Sequence, residues 1–181
     1  LFGRSILFSK EDIDKQIEFI SNNIDSLTVE EKLIFDVLLI EFNIATIQFK
    51  KALEICNNNL DIKNPEQKLK IYNYKAGCED ALGFREKAIK TITKNLELAI
   101  SIYGDNDPRL LPFLNSMLDM DPMGTNPNSI KVETKALRIL YQNKLEQTVT
   151  AISVWNNLGQ GAMNRKNDRD ALIYFQKALR F

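Results

Sequence analysis

At 181 residues the chain is the size of one ordinary domain, or of a stretch of a longer array. Its 24 Lys/Arg balance 24 Asp/Glu, so no global field draws nucleic acid or an anionic membrane surface. Histidine is absent, which removes the commonest general base and metal ligand together, and no apolar run nears the ~20 residues that cross a bilayer.

No catalytic residue, metal ligand or cofactor is therefore expected, nor nucleic-acid binding or membrane insertion. Residues 1–60 carry six Lys/Arg against ten Asp/Glu, and residues 145–181 carry five against three, a gradient that reads as solvated surface. The two cysteines, Cys56 and Cys78, have no metal-ligand spacing. Two reduced thiols in a helical core are the expectation, and a pairing between them is a question for geometry. The lead-in Leu1–Phe8 is too short and broken for a signal peptide. It lacks an initiator Met, so the chain is expected to be part of a longer one in a cytoplasmic, reducing setting.

The apolar residues recur at helical spacing throughout. Ser9 with Glu11 and Asp12 opens a helix over about residues 10–22. Thr28 followed by Glu31 is a capping box. From there to about Cys56 the pattern predicts either one long helix or two with a break near Glu41-Phe42-Asn43. Asn64-Pro65 is a strong helix start, with a capping side chain and Pro at the first helical position. That helix ends or turns at Gly83, and the next runs from about Phe84 to Gly104. Asp107-Pro108 starts another, through about Leu118. The longest loop is expected over 119–127, and helices follow at about 128–142, 146–164 and 168–181. No segment reads as a strand.

Internal repeats then decide the fold. Ala45-x3-Phe49-x2-Ala52-Leu53 matches Ala171-x3-Phe175-x2-Ala178-Leu179, and the spacing puts Ala, Phe and Ala on one helix face. The second copy is preceded by Trp155-x2-Leu158-Gly159-x2-Ala162. Together these resemble the tetratricopeptide-repeat signature, with Ala162 where the family has Tyr. Leu114-Asn115 precedes Trp155-Asn156 by 41 residues, and Tyr72-Asn73 precedes Leu114-Asn115 by 42. Gly104-Asp-Asn-Asp-Pro108 before Leu114-Asn115 resembles the joint of kinesin-light-chain-like repeats of about 42 residues.

The resemblance covers roughly residues 28–181. It implies an all-α, right-handed superhelical solenoid of antiparallel helix pairs, with units at about 28–60, 65–104, 107–143 and 146–181 after a lead-in helix over 1–27. The third unit departs most, having about six extra residues in its turn and only Ala136 and Leu140 as stand-ins for the Ala and Phe. The implied function is a non-catalytic scaffold or adaptor that binds a partner protein or peptide on its repeat surface. A regulatory peptide-sensing receptor, controlling an output domain outside this chain, is the alternative.

Partners of the family usually lie in the concave groove lined by first helices. The positions implied there are Lys70, Asn73 and Gly77, then Asn115 and Asp119, then Ser153, Asn156 and Gln160. A row of Asn amides can pair with the backbone of an extended peptide, although Asn is also ordinary solvated surface in this chain. Only Lys70 is basic, so no clamp for a C-terminal carboxylate is expected. Ala171–Phe181 ends on an uncovered apolar face, on which a further repeat, a partner or a second copy is expected to stack.

Overall fold

A computed structural model describes residues 15, 17–19, 21–23, 26–121 and 129–180. Eight α-helices form four antiparallel pairs among these residues, and no strand occurs among them. The pairs are α1 (Val29–Ala45) with α2 (Phe49–Asn58), α3 (Pro65–Ala81) with α4 (Arg85–Tyr103), α5 (Leu111–Met120) with α6 (Ser129–Gln142), and α7 (Val149–Asn164) with α8 (Asp168–Ala178). A 3-10 turn at Pro108–Leu110 leads into α5. The chain is thus an all-α solenoid. Of the helix expected over 10–22, positions 15, 17–19 and 21–22 are helical, and the rest lies outside the described residues together with its Ser9 cap. So does most of the loop expected over 119–127; Asp119 and Met120 belong to the last turn of α5.

Local chemistry places the helix starts. The Thr28 backbone N–H donates to the Glu31 carboxylate at 2.8 Å, and the Glu31 N–H donates back to the Thr28 hydroxyl. The Thr28 N–H first and then its hydroxyl, both donating to the carboxylate, hold the Glu31 carboxyl below its usual range. Asn64 Oδ1 accepts from the N–H groups of Glu66 and Gln67. Asp107 caps the 3-10 turn by accepting from Arg109 N–H at 2.8 Å. Gly104 stops α4 with φ 89, where any side chain would be strained.

The break between α1 and α2 falls at Thr46-Ile47-Gln48, not near Glu41-Phe42-Asn43. Asn43 does not interrupt α1, because its buried amide donates back to the Leu39 carbonyl at 2.7 Å. The turn is made by Ile47 at φ 60, and Gln48 N–H reaches back to the Asn43 carbonyl at 2.7 Å. The same device recurs within two other pairs. Gly83 (φ 81) precedes Phe84 N–H on Glu79 O, and Lys166 (φ 60) precedes Asn167 N–H on Ala162 O. Five residues after the positive-φ residue of each of these three turns stands a buried alanine: Ala52, Ala88 and Ala171.

This register corrects the match between Ala45–Ala52 and Ala171–Ala178. Ala45 ends α1 and Phe49 begins α2, so the first copy spans a turn and does not share one helix face. Counted from the turns, Ala171 is equivalent to Ala52, and Phe175 to Cys56.

Two apolar clusters fill the interior. The smaller joins Ile40, Ala52, Cys56, Ile71 and Cys78 across α1–α3. The larger runs from Leu69 and Ile92 through Leu114 to Ile139 and Trp155. Both cysteines are buried free thiols. Burial, with small contributions from Cys78 and Glu79, pushes the Cys56 thiol up to about 12. Trp155 is fully buried, stacked on Tyr174 at 6.0 Å, and donates its indole N–H to the Glu146 carbonyl at 3.2 Å. Gly159 faces Phe175 so closely that a Cβ there would stand 2.7 Å from the ring. The Trp, Gly, Ala and Phe of the repeat signature are therefore packing residues.

Candidate interaction surface

Chemistry is concentrated along the first helices of the pairs, α1, α3, α5 and α7, where polar side chains join each helix to the next. Glu41 on α1 accepts from the Tyr74 hydroxyl and pairs with Lys70 at 3.0 Å, both on α3. These contacts hold the Glu41 carboxyl below its usual range, with the Tyr74 bond the larger cause. Burial chiefly, and then the bond to Glu41, pushes the Tyr74 hydroxyl up. Between α3 and α5, the Ser116 hydroxyl donates to Asn73 Oδ1 at 3.4 Å. Between α5 and α7, Asn157 Nδ2 donates to Asn115 Oδ1 at 3.1 Å.

Every residue expected to face a groove lies on a first helix. Lys70 is tied to Glu41, with its ammonium 5.6 Å from the Tyr74 ring centroid. Asn73, Gly77, Asp119, Ser153 and Asn156 are exposed. Gln160 is half-buried and donates to Asn164 at 3.1 Å. Asn115 is half-buried and engaged by Asn157, a residue the sequence alignment passed over for its neighbour Asn156. The core match of Leu114 with Trp155 has a period of 41 and selects Asn156, whereas the hydrogen bond spans 42 residues. Ser116, Tyr74 and Glu41 also escaped sequence reasoning, because Glu41 and Tyr74 meet across 33 residues with no motif to announce it.

Beside Asn73 the surface falls into a depression of about 350 Å³, lined by Leu69, Lys70, Tyr74, Tyr103, Pro112 and Phe113. Three rings and a proline make its walls apolar, and Lys70, Glu66 and Asn73 supply polar groups at its edge. Arg109, held by Asp107 at 2.9 Å, lies 4.1 Å from the Tyr103 ring centroid and fixes that wall. Two larger depressions lie elsewhere. One of about 660 Å³ is bordered by Lys32, Asp36, Asp61 and Lys63. One of about 600 Å³ is bordered by Glu146, Gln147, Lys177 and Arg180. Lys177 is already engaged there by the Tyr141 hydroxyl and the Trp155 ring. The smaller depression combines apolar walls with convergent hydrogen-bonding groups, as binding sites do.

Among the described residues no group of His, Cys, Asp and Glu is placed to hold a metal ion. No helix among them is long and apolar enough to cross a membrane.

No protein-family model and no curated protein sequence matches the chain. Among solved structures it is similar to BtubC (BKLC) from P. vanneervenii, with a TM-score of 0.73 over 94% of this chain and 70% of that one, at 17% identity. Likeness at that identity is likeness of fold, and the fold the two share is a tetratricopeptide-like stack of helix pairs.

Proposed function

We propose that the chain is a non-catalytic protein-interaction module that holds an extended peptide segment of a partner along its first helices. The observation that carries this reading is the polar row Asn73–Ser116–Asn115–Asn157 running beside an apolar depression. Amides can take up a peptide backbone without regard to its sequence, and a ring-lined hollow then selects one apolar side chain. Asn73 is the best placed, because its amide is exposed and contacts only Ser116 weakly.

The test is a peptide-display selection against the purified chain, followed by titration of the selected peptides. Asn73→Ala removes about 1 kcal/mol of hydrogen bonding, so affinity should fall roughly fivefold. Phe113→Ala, which empties one wall of the depression, should cost more. Helicity by circular dichroism should be unchanged for Asn73→Ala, whose side chain the core does not use. Peptides that bind parent and both variants equally would place the site on another surface. A selection that yields no binder would reject the reading.

A further inference from the structure

Independently of any peptide along the first helices, the turns within the first two pairs form a second surface. A depression of about 340 Å³ opens beside the turn of the first pair, lined by Ile47, Gln48, Phe49, Lys50 and Lys51 and, from the end of α3, by Leu82. Its apolar parts are open to solvent. Ile47 is 75% exposed, and Phe84, in the turn that follows Leu82, is 47% exposed. Ile47 holds φ 60, where the equivalent turns have Gly83 and Lys166. A β-branched residue at that φ strains the backbone, and this side chain lies in solvent. Neither the turn geometry nor the core accounts for an isoleucine there. A contact from outside the chain would.

The charge around the depression has one sign. Residues 47–51 and 82–94 hold Lys50, Lys51, Arg85, Lys87, Lys90 and Lys94 against Glu86 alone, in a chain of zero net charge. Lys50, Lys51, Lys90 and Lys94 are exposed and form no ion pair among the described residues. The Lys87 ammonium has only the Phe84 ring, with the centroid 5.0 Å away. By contrast Lys70, Lys135, Arg138 and Arg165 are each paired with a carboxylate. Lys50 and Lys51 also stand in the first turn of α2, which has no acidic residue, at the positive end of the helix where a cation costs stability. Strain, exposed apolar surface and mutually repelling cations thus meet at one place, each at the expense of the isolated fold.

We propose that this turn surface docks an acidic segment of a partner protein, with one leucine- or phenylalanine-sized side chain in the depression and carboxylates beside it meeting Lys50, Lys51 and Lys87. The unpaired lysines select the acidic flanks by charge complementarity, and they repel a basic segment. Ile47, Phe49 and Leu82 select the apolar centre. A concave site of this size takes a projecting side chain, whereas the plane of a bilayer would leave it empty. Docking would bury the exposed Ile47 side chain and neutralise the cations in the first turn of α2.

Fluorescence anisotropy tests this with short labelled peptides, each a single leucine or phenylalanine set among aspartates and glutamates. The parent chain is expected to bind them with an affinity that falls as salt is raised, and not to bind peptides with lysines in place of the acids. Ile47→Gly is expected to weaken binding about tenfold, and Lys50→Glu with Lys51→Glu to abolish it. Both changes relieve a cost to the fold and should raise Tm, so their loss of binding cannot come from unfolding. Lys63→Glu with Lys144→Glu makes an equal change of charge at turns between pairs and should leave binding as in the parent. Asn73→Ala, on the first-helix row, should do the same. The proposal is overturned if no acidic peptide binds, if the Lys50/Lys51 variant binds as the parent does, or if the Lys63/Lys144 variant loses as much. Binding to phosphatidylserine vesicles but to none of the peptides would also overturn it and assign the surface to a membrane.

Discussion

Two glycines on first helices make a paired test of the packing between α7 and α8. Gly159 and Gly77 both sit inside helices, where replacing Gly by Ala gains about 1 kcal/mol of helix propensity. Their surroundings differ. A Cβ at Gly77 meets no atom within 4 Å, whereas one at Gly159 stands 2.7, 2.8 and 2.9 Å from three atoms of the Phe175 ring. Carbon pairs rest at ~3.5–4.0 Å, so the ring or the helix must yield by almost an ångström. Overpacking of that kind costs about 1–3 kcal/mol. Gly77→Ala should therefore stabilise by about 1 kcal/mol and raise Tm by about 2–4 °C. Gly159→Ala should come out between neutral and about 2 kcal/mol destabilised. The assay is urea unfolding followed through Trp155, the sole tryptophan, which is fully buried and so reports the fourth pair directly. Phe175→Leu in the Gly159→Ala background should recover part of the loss, giving a positive coupling in a double-mutant cycle. If Gly159→Ala stabilises as much as Gly77→Ala, the two helices do not approach as closely as the Phe175 contact requires.

Two further outcomes follow from the turn geometry and the buried thiol. Ile47 holds φ 60, a conformation that costs a β-branched residue roughly 1–2 kcal/mol and glycine almost nothing; Ile47→Gly, at an exposed position, should raise Tm, and a fall would mean that Ile47 packs against something. The Cys56 thiol is neutral in the folded chain until about pH 12, against about 9 when unfolded. The stability it contributes is complete below pH 9 and is lost between pH 9 and 12, at roughly 1.4 kcal/mol per pH unit. Cys56→Ala should accordingly flatten the alkaline fall in Tm, and an unchanged slope would show that the thiol does not drive it.

What the sequence displayed was set by residues acting locally. Asn64-Pro65, Gly104 and Asp107-Pro108 punctuate the chain through backbone chemistry that operates within four residues, and their helix boundaries appeared near where they were expected. Trp155, Gly159 and Phe175 are legible for a different reason, because a signature of large and small residues records the shape of a helix contact. The α1–α2 break was hidden because Ile47, a residue that ordinarily avoids positive φ, occupies the place that glycine marks at Gly83. The row of amides was half legible. Its helices could be assigned from the repeat, but neighbouring first helices are offset, so the residue that meets Asn115 is Asn157 and not its aligned equivalent Asn156.

That offset bears on how the stack finds one register. Interfaces of Leu, Ile and Ala in repeated positions would keep much of their burial after a slip of one turn. The polar contacts that cross between helices would not. Glu79, buried in α3, accepts from the Thr91 hydroxyl of α4 at 2.6 Å. Asn95, fully buried in α4, donates to the Leu69 carbonyl at 3.1 Å, and the half-buried Asn59, which caps the end of α2, donates to Asp36 of α1 at 2.9 Å. A one-turn shift would break each of these bonds, at a cost of about 1–3 kcal/mol where the group is buried, as Glu79 and Asn95 are. Apolar burial therefore drives the helices together, and these few bonds select the alignment. The same alignment sets Asn73, Ser116, Asn115 and Asn157 in one row. The proposed peptide surface thus depends on the buried bonds as much as on its own residues.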